Sequence, residues 1–584
     1  MKNSNNSLIE LIRKFALKNA IQYNGKAKVG PVMGKIFSIK PDLKLKTEFV
    51  EKEVTKIVKE VNALSEKEQR EVITENWPEL LQPEKRKSDE KLLPPLPNAN
   101  KFTLIHTRFC PNPDGALHIG GARAAILCDE YAKKYSGKLT LRFDDTDPRT
   151  KSPIPEAYEW IRKDLEWLDI KWHDEVYQSD RMRIYYDCTE KLLSLNAAYI
   201  CDCDPVHFRK LLVRKESCPC RGMPCEEHLS RWQRMLNGQY NEGDVVVRIK
   251  TDLNHPNPAV RDWPALRIIN TEKYPHPRTG DKYRVWPLFA FCGGIDDHYL
   301  KISHILRGKE HLTNTTRQLY LFDYLGWDYP ESIHYGRLKI AGSILSKSKI
   351  RESIEKGDFT DWADPRLGTL MAIRQRGISP ETIREIMISV GPKPVDATLS
   401  WENIYAINRK ILDPSVKRYF VIINPIKLSI TDLEKNLYVS KPLFIPGHPD
   451  KGHRTLQVKA ENGRALLYIQ RKDLKILEID QIVRLMELFN IKINKVGSEC
   501  VEALFHSEPH LQAKILNAPL IHWLPQEENI PVKIVTPKAR ILTGIGETGL
   551  IKEKVNSVIQ MERFGFGKIN TKTQKYIRIY YAHR

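Results

Sequence analysis

The sequence predicts an α/β protein in three stretches: helices first, then a doubly wound sheet, then a strand-rich end. Three observations carry this. Strand and helix patterns alternate between about 99 and 340, as expected of parallel strands joined by crossover helices. Ahead of them, residues 1 to about 90 repeat apolar side chains at helical spacing. Behind them, beyond Asp413-Pro414, the runs Tyr419-Phe420-Val421-Ile422-Ile423 and Tyr576-Ile577-Arg578-Ile579-Tyr580-Tyr581 read as strands. At 584 residues the chain has room for about three to five domains of roughly 100–200 residues each.

The elements follow in order. Residues 1–98 form a helical domain and linker: Leu8, Leu11, Ile12 and Phe15 line one face, and Val54, Ile57, Val58 and Val61 another. The linker runs from Pro83-Glu84-Lys85-Arg86-Lys87 to Leu93-Pro94-Pro95-Leu96-Pro97. The doubly wound domain spans 99–340 and is split by an insertion at about 200–300. In it, 101–109 reads as a strand, Pro111-Asn112-Pro113-Asp114-Gly115 as a turn, and 117 to about 135 as a helix. Residues 341–412 are helical by pattern, and 413–584 are strand-rich, with basic and aromatic residues alternating. Gly544-Ile545-Gly546-Glu547-Thr548-Gly549 matches a dinucleotide fingerprint by letter, but no βαβ unit surrounds it, so it reads as a barrel turn.

Two short segments carry chemistry. Ala116-Leu117-His118-Ile119-Gly120-Gly121 sits at a strand-to-helix junction. Free backbone N–H groups and a partial positive charge at a helix start favour phosphate there, and the two glycines leave room for a flat base against the backbone. In Gly342-Ser343-Ile344-Leu345-Ser346-Lys347-Ser348-Lys349, a lysine stands in a flexible Gly/Ser setting. Such a mobile cation can neutralise charge developing on phosphate oxygens.

Composition narrows the partners and the compartment. A formal net charge of +20 points to a polyanion. Ten cysteines in so long a chain and no apolar run of membrane length indicate a reducing, cytoplasmic setting without a membrane. Cys201, Cys203, Cys218 and Cys220, with Cys225 nearby, are spaced either as structural zinc ligands or as reduced free thiols.

Taken in order, the two segments resemble the ATP signatures of class I aminoacyl-tRNA synthetases, with Gly121 in place of a second histidine and Ile344 in place of a first lysine. The text between them, Thr107-Arg108-Phe109, Leu141-Arg142-Phe143-Asp144-Asp145-Thr146-Asp147-Pro148, Asn257-Pro258-Ala259-Val260-Arg261-Asp262-Trp263-Pro264 and Ile305-Leu306-Arg307-Gly308-Lys309-Glu310-His311, is similar to the glutamyl/glutaminyl subfamily in its archaeal glutamyl form. The resemblance covers nearly the whole chain. It implies a Rossmann-like catalytic domain, an insertion that handles the acceptor end of tRNA, and two anticodon-binding β-barrels.

It further implies ATP-dependent ligation of L-glutamate to tRNA through glutamyl-adenylate, with Mg²⁺ and with tRNA for glutamine as a further acceptor. His118 and Lys347 take the catalytic roles, and His118, Gly120, Gly121, Ser346, Lys347 and Ser348 bind ATP. In the amino-acid pocket Asp144 meets the ammonium group, Arg108 a carboxylate, and Arg307 decides for glutamate, while Phe289 stands where relatives often carry tyrosine. No catalytic metal ligand is implied; zinc is carried by some relatives in the insertion. The alternatives are a glutaminyl-tRNA synthetase and a catalytically silent tRNA-binding scaffold. The N-terminal helices either steady tRNA, dock a protein partner or simply pack.

Overall fold

The computed structural model describes residues 2–22, 25–40, 43, 47–77 and 93–584, in two compact units, Met1–Leu92 and Leu93–Arg584. The first holds the helices Lys2–Gln22, Val29–Ile39, Thr47–Ala63 and Glu66–Asn76. Leu8, Ile12, Val54, Ile57, Val58 and Val61 form its core, while Leu11 and Phe15 pack at the margin. The last helix is started by a reciprocal cap between Ser65 and Glu68. Residues 83–92 of the expected linker lie outside the described residues. Its far end is no spacer: Leu93 and Leu96 are buried in the core of the second unit.

In the second unit, His106–Phe109, Lys138–Phe143 and Asp174–Tyr177 pair in parallel, with the helices Ile119–Lys134 and Pro155–Trp167 as crossovers. The first strand begins five residues later than the 101–109 expectation, because Ala99–Lys101 forms a 3-10 turn and Leu104 faces solvent. A second parallel pair, His304–Gly308 and Glu331–Tyr335, brackets the helix Leu312–Leu325. Ser303 stitches the halves together, its N–H donating to His106 O at 3.0 Å and its Oγ accepting from His106 N at 2.7 Å. The strand order therefore reverses between His106–Phe109 and His304–Gly308. In open α/β sheets a ligand crevice opens at the carboxyl ends of strands at such a reversal.

The insertion is a four-stranded antiparallel sheet, Ala198–Cys201, Val246–Ile249, Pro264–Ile268 and Val285–Pro287, over a core that includes Trp232, Trp263 and Trp286. After the sheet come the helices Lys347–Glu355, Leu370–Arg376, Pro380–Val390 and Trp401–Leu412. This stretch is not purely helical: Ala397–Leu399 pairs with Leu338–Ile340. The C-terminal part is two seven-stranded sheets with a small antiparallel pair, Leu437–Ser440 and Leu456–Lys459. The chain passes from one to the other between Val421–Ile423 and Pro425–Thr431, through Asn424 at φ 49°, a conformation that asparagine tolerates better than most residues. Gly544 and Gly546 lie in the strand Ile541–Glu547, not in a turn as expected. A Cβ at Gly544 would come within 2.2 Å of Ile422 O, so the close approach of a neighbouring strand explains that glycine.

Candidate active site

The crevice at the strand-order reversal is a cavity of about 400 Å³. Arg108, His118, Gly120, Gly121, Asp144 and Arg307 all line it, so residues spread over 200 positions of sequence meet in one place. Phe289 and Leu345 line it too. Ser346, Lys347 and Ser348 do not; both serines are exposed.

His118 caps the helix Ile119–Lys134, its Nδ1 accepting from Gly121 N at 3.2 Å. Burial, reinforced by the charge of Lys347, pushes its pKa down to about 4, so the ring is neutral at pH 7. With Nδ1 accepting, the single ring proton sits on Nε2, which is left to donate. Gly121 spends its own N–H on His118, whereas the N–H of Gly120 has no partner among the described residues and is left for an anion. The glycines also differ sterically. A Cβ at Gly120 would lie 2.9 Å from the His118 ring, but one at Gly121 would meet only Leu117 at an ordinary 3.7 Å. Room for the histidine is thus what requires Gly120.

Lys347 is not the free mobile cation expected. Its Nζ donates to Asn112 O at 2.7 Å and to Asp114 Oδ1 at 2.8 Å, which ties the second segment to the turn of the first. Burial lowers its pKa, opposed by Asp114. Ser346 Oγ and Ser348 Oγ lie 3.1 Å apart, within hydrogen-bond distance of each other.

Behind the cavity wall runs a chain of buried ions, of which the sequence named Arg108 and Asp144 but not their partners Arg142 and Asp297. Arg108 grips Asp297 with two bonds, Nε to Oδ1 at 2.9 Å and Nη2 to Oδ2 at 3.2 Å. Arg142 holds Asp144 through Nε at 2.8 Å and also reaches Asp297 through Nη1 at 3.1 Å. Despite burial, which alone would raise it, Asp297 is held below the usual carboxylate range by Arg108 and Arg142. Burial pushes Asp144 up to about 6 against the pull of Arg142. The expected substrate-facing charges are therefore pre-paired: among the described residues Arg108 leaves only Nη1 without a partner, and Asp144 shares its carboxylate with Arg142. The signal for Asp297 was present in the sequence, as Asp296-Asp297 at the end of the otherwise apolar Phe291-Cys292-Gly293-Gly294-Ile295. A buried carboxylate pair in such a run calls for cations.

Arg307 differs from both of these arginines. It is 6% exposed, yet no carboxylate lies within ion-pair distance among the described residues. Its Nη2 donates to three neutral oxygens, Thr315 Oγ1 at 2.7 Å, Gln318 Oε1 at 3.0 Å and Tyr329 OH at 2.7 Å. Nε is buried without a partner. Burial lowers its pKa, the mark of a cation that wants an anion.

Away from the cavity, the sulfurs of Cys201, Cys203, Cys218 and Cys220 all lie within 4.8 Å of one another, with Cys203 and Cys220 3.5 Å apart. A tetrahedral zinc with Zn–S bonds of about 2.3 Å spaces its sulfurs about 3.8 Å apart, so the four residues fit that ion. None of the ten cysteines is in a disulfide, and Cys225 stands outside the cluster.

A nucleotide-type sheet whose reversal point carries a histidine-capped helix start and buried cations suits a nucleotide and an acidic ligand. The family described as "tRNA synthetases class I (E and Q), catalytic domain" matches residues 104–414, and its "anti-codon binding domain" matches 416–507. The chain belongs to this family. Within it, the chain is 48% identical over 581 residues to a protein named glutamate–tRNA ligase from Pyrococcus furiosus, covering 98% of this chain and 99% of that one. It is 47% identical over 580 residues to the protein of the same name from Thermococcus onnurineus, with the same shares covered. To that from Methanopyrus kandleri it is 42% identical over 579 residues, 99% of each chain.

Proposed function

We propose that the chain activates L-glutamate with ATP and ligates it to tRNA. The single observation that carries the choice of amino acid is Arg307, a buried guanidinium at the cavity wall held only by neutral oxygens. Leaving such a charge without a counter-ion costs several kcal/mol, and the side-chain carboxylate of glutamate offsets that cost. The neutral amide of glutamine does not. The names of the relatives favour the same substrate.

The reaction has two steps. An oxygen of the α-carboxylate attacks the α-phosphorus of ATP, and pyrophosphate leaves with the bonding electrons. A terminal ribose hydroxyl of tRNA then attacks the carbonyl carbon, and AMP leaves. Arg307 takes the side-chain carboxylate, Arg108 offers Nη1 to a carboxylate, and Asp144 meets the ammonium group. His118 donates from Nε2 and Gly120 from its N–H to phosphate oxygens, where charge builds as the bond to pyrophosphate breaks. Gly121 acts through His118 by fixing its tautomer. Lys347, released from Asp114 by the stronger negative charge of the phosphates, follows the leaving group, with Ser346 and Ser348 presenting the loop around it. Mg²⁺, when bound, neutralises phosphate charge. Most of the acceleration comes from position and charge, since no side chain becomes acylated.

Cys201, Cys203, Cys218 and Cys220 would hold zinc as a closed, structural site with no open coordination position. The acceptor end of tRNA lies on the insertion and the anticodon on the two C-terminal sheets, a reading supported by the family match at 416–507 and by the net charge of +20. The test is charging of purified tRNA for glutamate and for glutamine with either radiolabelled amino acid. Glutamate should be esterified to tRNA in an ATP-dependent way; a preference for glutamine, or no charging at all, overturns the reading.

A further inference from the structure

We infer that Gln318, together with Thr315 and Tyr329, is a positioning residue for amino-acid selection: the three form a clamp of neutral oxygens that aims Arg307 without neutralising it. The inference rests on the reading that Arg307 receives the side-chain carboxylate of glutamate.

Three acceptors converge on one nitrogen that has only two protons, so the Nη2 end of the guanidinium is saturated. The other end is not: Nη1 and Nε have no protein partner among the described residues. Each clamp atom is itself oriented. Gln318 Nε2 donates to Ala290 O at 3.0 Å, which forces the amide oxygen toward Arg307. Tyr329 OH donates to that same oxygen at 2.9 Å, so both of its lone pairs are engaged. Thr315 Oγ1 lies 2.8 Å from His334 Nε2 and donates to His311 O at 3.3 Å. Thr315 and Gln318 are three residues apart on the helix Leu312–Leu325, which brings them to one face.

The contrast with the neighbouring arginines decides what the clamp does. Arg108 and Arg142 are fixed by carboxylates that offset much of their charge inside the protein, Arg108 keeping only Nη1 for a ligand. Arg307 is fixed as firmly but by groups without net charge, so its positive charge stays available to a ligand. A carboxylate at any of the three clamp positions would hold the guanidinium equally well and abolish its preference for an acid. Selection for glutamate thus depends on the clamp's neutrality as much as on the arginine.

The test is Gln318→Glu, nearly isosteric, assayed by ATP–pyrophosphate exchange in the presence of tRNA. The variant should fold, with a melting temperature near that of the unaltered chain. Its KM for glutamate should rise about tenfold or more, as when a buried charge pair is disturbed, with the KM for ATP unchanged. The ratio of glutamine to glutamate activation should rise by a similar factor, which a merely structural defect would not produce. Tyr329→Phe, which removes one acceptor without adding charge, should raise the glutamate KM severalfold with kcat nearly constant, and it carries the test should Gln318→Glu not fold. A folded Gln318→Glu whose glutamate KM and amino-acid ratio stay within about twofold, or a Tyr329→Phe with an unchanged glutamate KM, overturns the clamp. Arg307→Ala run in parallel separates the two levels. If it raises the glutamate KM while the clamp variants do not, only the clamp falls; if it has no effect, the underlying reading falls with it.

Discussion

His118 and Lys347 show how much of this site is settled at single atoms. A histidine whose pKa is pushed down to about 4 by burial does not change charge between pH 8 and 6, so it contributes no step to the rate profile there. A pH–rate profile of pyrophosphate exchange that loses an inflection in His118→Asn would contradict this. Lys347→Ala should leave tRNA affinity nearly unchanged while activation falls roughly 10²–10³-fold, the usual cost of one lost charge-stabilising donor; filter binding and exchange assays separate the two. Legibility at this scale was uneven. The residue types proposed to contact ligand were readable because phosphate and carboxylate chemistry prescribes them. The groups that already hold those residues, such as Asp114 for Lys347 and Asp297 for Arg108, were not. They lie 233 and 189 residues away in sequence, and no local pattern encodes a partner so remote.

At the scale of elements, periodicity placed the helix after the first motif to within two residues at each end, because its buried face of Ala122, Ala125, Ile126 and Tyr131 repeats as a helix requires. It failed where burial was not the cause. Residues 101–109 are apolar enough for one strand, but only His106–Phe109 finds a partner strand. Gly544 looked like a turn residue, and the true reason for it is a neighbouring strand packed against the backbone; Gly546 instead makes room for the Leu550 side chain, and Gly549 does lie in a 3-10 turn, Thr548–Lys552. The cysteine cluster illustrates a third case: its one-residue spacings give a weak signal in sequence, and only the fold brings Cys218 and Cys220 to Cys201 and Cys203. Purified chain should contain about one zinc, measured by elemental mass spectrometry, and Cys220→Ser should lose it and lower the melting temperature of the insertion. Full zinc retention in that variant would exclude Cys220 as a ligand.

Across the whole molecule, buried ions join parts that the sequence presents separately. Arg454, 4% exposed, binds Glu547 at 2.6 Å and Glu562 at 3.0 Å, which ties the segment before Leu456–Lys459, a strand of the small two-stranded sheet, to the seven-stranded sheet that contains Ile541–Glu547. Arg454→Ala leaves both carboxylates unpaired, and should cost about 3–5 kcal/mol of stability in denaturant titration. Asp164 is the opposite kind of ion. It is fully buried, neither oxygen has a hydrogen bond among the described residues, and the cation paired with it there is Arg374 at 3.5 Å. Burial raises its pKa to about 7, far above the value of about 3.9 in an unfolded chain. The folded state therefore takes up this proton first as pH falls. The destabilisation from the charged form is greatest above pH 7, is relieved as pH drops through 7 toward 4, and is absent below both values. Asp164→Asn should accordingly stabilise the chain at pH 8 by roughly 1–3 kcal/mol, with the gain shrinking to nothing near pH 4; a gain that persists at pH 4 would contradict this. Charge and composition announced a polyanion-binding, multidomain protein, but the ion pairs that lock its parts together became visible only with the fold.

The central claim is that a guanidinium left unpaired by the fold takes the acid side chain of the substrate. The most direct measurement is a crystal structure of the chain with bound glutamate. The account predicts the side-chain carboxylate within hydrogen-bonding distance, about 2.7–3.2 Å, of Arg307 Nη1 or Nε, with the ammonium group at Asp144. Glutamate bound in the cavity with no oxygen on Arg307 would contradict it.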